Sequence, residues 1–103
     1  MLVVLTTVPN SDEGRRLAVM LVDQRLAACV QILPEMTSIY RWEGEIEVEA
    51  EHLLLIKTAD EKWEAVRDAI TKEHSYLVPE IVAIKAENVA GAYAEWLAAA
   101  LRR

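Results

Sequence analysis

Apolar and polar positions along this 103-residue chain change period several times, and each change marks an element. Leu2 to Thr6 is a short apolar run closed by Pro9 and Asn10, the pattern of a buried strand. Asn10 is placed to cap a helix, with Glu13 three residues on. Leu17, Leu21 and Ala18, Val22 then recur at helical spacing to about Arg25. Ala27 to Leu33 predicts a second strand, interrupted at Pro34, which has no N–H to give a ladder; Thr37 to Trp42 resumes it. Glu43-Gly44 is a turn signal, and Glu45 to Thr58 predicts a long third strand. A two-residue loop there sets Trp42 opposite Glu45, Tyr40 opposite Glu47 and Ser38 opposite Glu49.

Alternation in that third strand places Glu45, Glu47, Glu49 and Glu51 on one face. Ile46, Val48 and Ala50 lie on the other, with His52 in phase with them. From Leu53 to Ile56 both faces are apolar, which demands cover on both sides of the sheet. One layer of helices covers one side, so another subunit is expected on the other. Thr58-Ala59-Asp60-Glu61 reads as a capping box opening a helix through Trp63, Val66 and Ile70 to about Glu73. Glu80 to Ala86 predicts a fourth strand. Asn88 then caps a last helix striped by Tyr93, Trp96, Leu97, Ala100 and Leu101. The order β-α-β-β-α-β-α predicts an α+β ferredoxin-like sandwich with an extra C-terminal helix.

Length and composition narrow this further. Residues 1–103 read as a single domain, and at about 0.05–0.15 kcal/mol per residue a monomer holds only about 5–15 kcal/mol of stability. The hydrophobic fraction is 53%, with no run long enough to span a bilayer. "MLVVLTTVPN" has no basic flank and reads as a strand, not a signal peptide. Seventeen acidic against eleven basic residues give a net charge of −6, which disfavours nucleic acid and suits cations. The single cysteine excludes an internal disulfide and fits a reducing, cytoplasmic location.

The fold hosts many functions, so motifs must discriminate. An acylphosphatase-type loop needs an arginine and glycines after the first strand, where "TTVPNSDEG" has acids and an isolated Gly14. A metallochaperone needs C-x-x-C, and Cys29 stands alone. Aromatic RNP strands and a basic surface are absent. No motif around His52 or His74 builds a nucleophile, so no enzyme is expected.

"RLAACVQILPEMTSIYRWEGEIEVEAEHLLLIKT" followed by "EHSYLVPEI" resembles the CutA family of divalent-cation tolerance proteins. Thr7 and Pro9, Arg25 to Val30, Ile32 and Pro34, then Ser38, Tyr40, Trp42 and Gly44 carry the likeness. Glu51, Lys57, Thr58, His74, Tyr76, Pro79 to Ile81 and the terminal Tyr93, Trp96 and Leu97 extend it across the chain. It departs at Glu35, where the family usually has glycine, and at Ser75, where it usually has proline. The resemblance implies a homotrimer with long second and third strands crossing subunit boundaries, and a role in tolerance of divalent metals. Copper (Cu2+) or another divalent cation is the implied ligand, weakly bound. The metal-ligand set it implies maps onto His74, Glu73 and Thr6, the last two standing where a histidine and a cysteine would be stronger ligands. His74 also reads as a histidine closing a helix, and that plainer reading carries more weight. Cys29, Tyr40, Trp42, Lys57, Tyr76 and Glu80 are candidates for a cleft between subunits, although Cys29 by itself reads as a small buried hydrophobe. The glutamate row reads as a solvated face. The competing reading is a trimeric signalling or scaffold protein binding a small metabolite between subunits, like the P-II regulators. The short Glu43-Gly44 turn weighs against nucleotide sensing.

Overall fold

A computed structural model describes all 103 residues. The strands are β1 (Leu2–Val8), β2 (Cys29–Ile32), β3 (Met36–Trp42), β4 (Glu45–Thr58) and β5 (Val82–Lys85); the helices are α1 (Ser11–Asp23), α2 (Trp63–Glu73) and α3 (Gly91–Leu101). The sheet runs β2-β4-β1-β5, all neighbours antiparallel, with β3 on the outer half of β4. This is the expected ferredoxin-like order, its second strand broken in two at Leu33–Glu35. β4 runs past the break: its inner half is shared with β1 and β2, while its outer half and β3 form an arm that extends the molecule to 45 Å.

Alternation decides the core. Leu2, Val4, Val8, Leu54 and Ile56 point to the face covered by α1 and α2, where Leu17, Leu21, Val66 and Ile70 meet them. α1 sits close because Gly14 has no Cβ; one added there would come within 3.2 Å of a Val8 methyl and 3.4 Å of Leu54. On the opposite face Leu5 stands between Leu55 and Val82, and Leu53 beside Thr7. There Val82 and Ile84 are 47% and 54% exposed, and Leu77 in the loop between α2 and β5 is 91% exposed. The sheet is thus apolar on a face that nothing in the chain covers, as the Leu53–Ile56 pattern predicted. No helix is long and apolar enough to cross a membrane.

Local expectations fared unevenly. Asn10 does cap α1, its side-chain oxygen accepting from the Glu13 N–H at 2.8 Å. The arm register is as read: Trp42, Tyr40 and Ser38 face Glu45, Glu47 and Glu49. Glu43 and Gly44 both take positive φ, 50° and 83°, the signature of a type I′ hairpin turn. The capping box at Thr58 does not form, because the Thr58 hydroxyl donates to the Leu26 carbonyl at 2.6 Å; α2 starts at Trp63 after a 3₁₀ turn. Asn88 caps nothing: α3 begins at Gly91 after Ala90, with no side-chain cap. α3 packs Leu97 and Leu101 against Ala28, Met1 and Ala59 at the sheet end, tied to the turn after α1 by Arg25 donating to the Ala100 carbonyl at 2.8 Å.

Candidate functional site

Where the arm leaves the sheet, the uncovered face folds into a cleft of about 810 Å³. Tyr40, Trp42, Glu51, Tyr76 and Glu80 line it, with Leu5 and Leu53 at its floor. β3 and β4 supply the aromatics and Glu51; the loop after α2 supplies Tyr76. The Tyr76 hydroxyl donates to Glu51 Oε2 at 2.7 Å, and Glu51 is only 5% exposed. Burial, then the bond to Glu51, pushes the Tyr76 phenol well above its ordinary range, so it remains a donor at any physiological pH. The Tyr40 phenol is raised too, by desolvation first and then by the charges of Glu49, Glu51 and Glu47.

Behind Tyr76 lies His74, the residue closing α2, its side chain fully enclosed. Nε2 is 2.7 Å from the Thr7 carbonyl. A carbonyl only accepts, so Nε2 carries the proton. Nδ1 accepts the Tyr76 N–H at 3.0 Å. Both ring nitrogens are therefore committed. Glu13 Oε2 lies 3.5 Å from Nδ1, but with Nδ1 serving as acceptor this is a neighbour and not an ion pair; the carboxylate accepts the Ser75 N–H at 3.1 Å instead. A relay thus runs from α1 through Glu13 and Ser75, His74 and Tyr76, to Glu51 in the cleft.

Comparison with known proteins places this geometry. The sequence profile of the CutA1 divalent ion tolerance protein matches residues 2–100. The chain belongs to the CutA1 family. The divalent-cation tolerance protein CutA of Thermus thermophilus is 45% identical over 95 residues, 92% of each chain. The chloroplastic CutA 1 of rice (Oryza sativa) is 42% identical over 93% of this chain; the chain spans 54% of that relative's length. The structure of the periplasmic CutA from Archaeoglobus fulgidus superposes with a TM-score of 0.95 at 35% identity, covering 99% of this chain and all of that one.

Within this CutA1 chain the residues expected to act together divide. Tyr40, Trp42, Tyr76 and Glu80 do converge in the cleft. Cys29 and Lys57 do not: they face each other across β2 and β4 at the far end of the sheet, the Lys57 ammonium 5.6 Å over the Tyr93 ring of α3. Of His74, Glu73 and Thr6, the structure assembles no ligand set. Thr6 points into the core under the helices, its hydroxyl fully buried and without a partner; Glu73 lies on the surface, 3.9 Å from Arg16. No three His, Cys, Asp or Glu side chains of one chain gather closely enough to hold an ion. Glu13 is the residue sequence reasoning misread, as a helix-start acid. Its spacing of four from Leu17 and eight from Leu21 puts it on the buried stripe, and that is the signal that it points inward.

Proposed function

We propose that this CutA1-family protein is a non-enzymatic divalent-cation tolerance protein working as a homotrimer in the cytoplasm, with copper among its ions and the Tyr76–Glu51 cleft at a subunit boundary. One observation carries the assembly: the apolar sheet face at Leu5, Leu53, Val82 and Ile84 is bare and runs directly into the cleft. Leaving such a surface in water forfeits about 25 cal/mol per Å², and three copies turning this face towards a common axis recover it. The cation reading rests on family membership, supported by a net charge of −6 and by the glutamate row lining the arm beside the cleft. Sedimentation equilibrium should return three times the 11.6 kDa chain mass, and calorimetric titration with Cu2+ should show weak, micromolar-class binding. A stable monomer refutes the trimer; absence of stoichiometric binding refutes the cation reading.

A second reading is supported by the aromatic lining of the cleft. A small organic ligand held there between subunits would make the protein a metabolite-responsive scaffold of the P-II type. The tight Glu43-Gly44 turn, with no long loop, counts against a nucleotide. A thermal-shift screen against small metabolites separates this from cation binding.

A further inference from the structure

The two histidines of this chain make opposite hydrogen bonds, and the geometry points to opposite roles. We infer that His74 is a positioning residue that sets Tyr76 in the cleft and is closed to metals, and that His52 Nε2 is the imidazole nitrogen available to a divalent transition-metal ion. The inference rests on the cation reading for its second half only.

A metal ligand needs a nitrogen lone pair that an ion can reach. His74 has none: its protonated Nε2 donates to the Thr7 carbonyl, its Nδ1 lone pair takes the Tyr76 N–H, and its side chain is fully enclosed. An ion at Nδ1 would have to expel the Tyr76 N–H and enter beside Glu13. Expelling it would also loosen the turn that aims the Tyr76 hydroxyl at Glu51. His52 is the reverse case. Its Nδ1 is 2.8 Å from the Leu33 carbonyl, which fixes the proton on Nδ1. Nε2 then holds a free lone pair, makes no hydrogen bond within the chain, and belongs to a ring only partly buried at the root of the arm. A backbone carbonyl orienting one ring nitrogen so that the other can ligate is the usual support of a metal-binding histidine. The carbonyl is presented because Leu33 sits at the break between β2 and β3, its own N–H bonded to the Leu53 carbonyl. A single imidazole anchors an ion weakly, and the affinity sought is correspondingly modest.

The test uses the full chain labelled with nitrogen-15. Two-bond imidazole spectra at neutral pH should show His74 as the Nε2–H tautomer and His52 as the Nδ1–H tautomer. Substoichiometric Cu2+ should broaden the His52 ring signals first and leave those of His74 sharp. His52→Ala should weaken Cu2+ binding by about tenfold, while His74→Gln should leave it within about twofold. His74→Ala should speed Tyr76 amide exchange by about tenfold without altering Val4 or Ile56, and His74→Gln, which can still donate to Thr7, should show a smaller effect. Copper broadening of His74 at or before His52, or the opposite tautomers, overturns the inference. Binding that survives His52→Ala unchanged overturns the His52 assignment alone. No binding at all overturns the cation reading and the His52 role together, while the tautomers and amide exchange still decide His74. The tautomer measurement uses wild type and needs no variant to fold.

Discussion

Thr6 offers the sharpest test of how this core is built. Its hydroxyl is completely buried, among Val4, Val8 and Leu54, and has no hydrogen-bond partner. An unpaired buried polar group costs about 1–3 kcal/mol, a penalty that Thr6→Val removes while keeping shape and volume. We expect a gain of about 1 kcal/mol, the low end of that range. In a domain of this size that raises Tm by about 4–8 °C. Thr6→Ser is the counterpart: it keeps the hydroxyl and removes the methyl, so it should cost about 1 kcal/mol in lost transfer energy and residual cavity. Thermal unfolding by circular dichroism, at one fixed protein concentration so that assembly does not move Tm, reads both. A Thr6→Val protein less stable than wild type by about 1 kcal/mol would refute the reasoning, since it would mean the hydroxyl has a partner worth more than its desolvation. The same variant tests Thr6 as a metal ligand. Copper affinity should not change.

Three further outcomes follow from named contacts. Glu43 holds φ at 50° in the arm turn, so Glu43→Asn should stabilise by up to about 1 kcal/mol, seen as a higher urea midpoint with an unchanged slope. Glu13→Ala strands the Ser75 N–H and should cost about 1–2 kcal/mol, with Glu13→Gln recovering most of it because an amide oxygen can still accept. Asp60 is bonded by Lys85 at 2.7 Å and by the Met1 amine at 3.2 Å, and these bonds, Lys85 first, hold its carboxyl below the usual range. A folded value below the unfolded one gives support that is present above the ordinary carboxylate range and lost as pH falls through the lowered value. The Tm gap between wild type and Asp60→Asn should therefore close on acidification; a gap that persists in strong acid would show that the carboxylate's charge is not what matters. Lys85 is raised by the same pair, so its share is lost at the other extreme, as pH climbs through its raised value.

Most of the architecture could be read from the sequence because it depends on local pattern. The alternation in β4, the tight turn at Glu43-Gly44 and the resulting arm register need only neighbours in sequence and appear as expected, except that Glu51, at the inner end of the glutamate row, is buried under Tyr76 and not solvated. Two of the misreadings share one physical origin: a polar side chain had a local partner and a distant one, and the distant one won. Thr58 could have capped the next helix but donates to Leu26, thirty-two positions away. Glu13 could have closed a capping box with Asn10 but accepts from Ser75, sixty-two positions away. Cys29 and Lys57 lie at the other end of the sheet from Tyr76 within one chain, so a cleft holding all three would draw them from different subunits.

The histidines carry this furthest. In sequence they are the same residue, one in phase with a strand's apolar face and one at the end of a helix, and the helix-closing one looked the better ligand. What distinguishes them is which nitrogen meets a carbonyl: Nε2 of His74 meets Thr7, sixty-seven positions back, and Nδ1 of His52 meets Leu33, nineteen back. A tautomer is a property of the partner more than of the residue, and the partner here is a backbone atom with no side-chain identity to read. Any carbonyl-bearing residue at position 7 would serve His74 equally, so no motif around it can announce the role. The same holds for Nδ1, filled by the Tyr76 N–H. Ser75, standing where the family usually has proline, supplies the N–H that Glu13 accepts, a bond that proline cannot make. In this chain the departure from the family pattern therefore adds a tether to the turn carrying Tyr76, and ties α1 to the cleft through a contact that the usual residue would forbid.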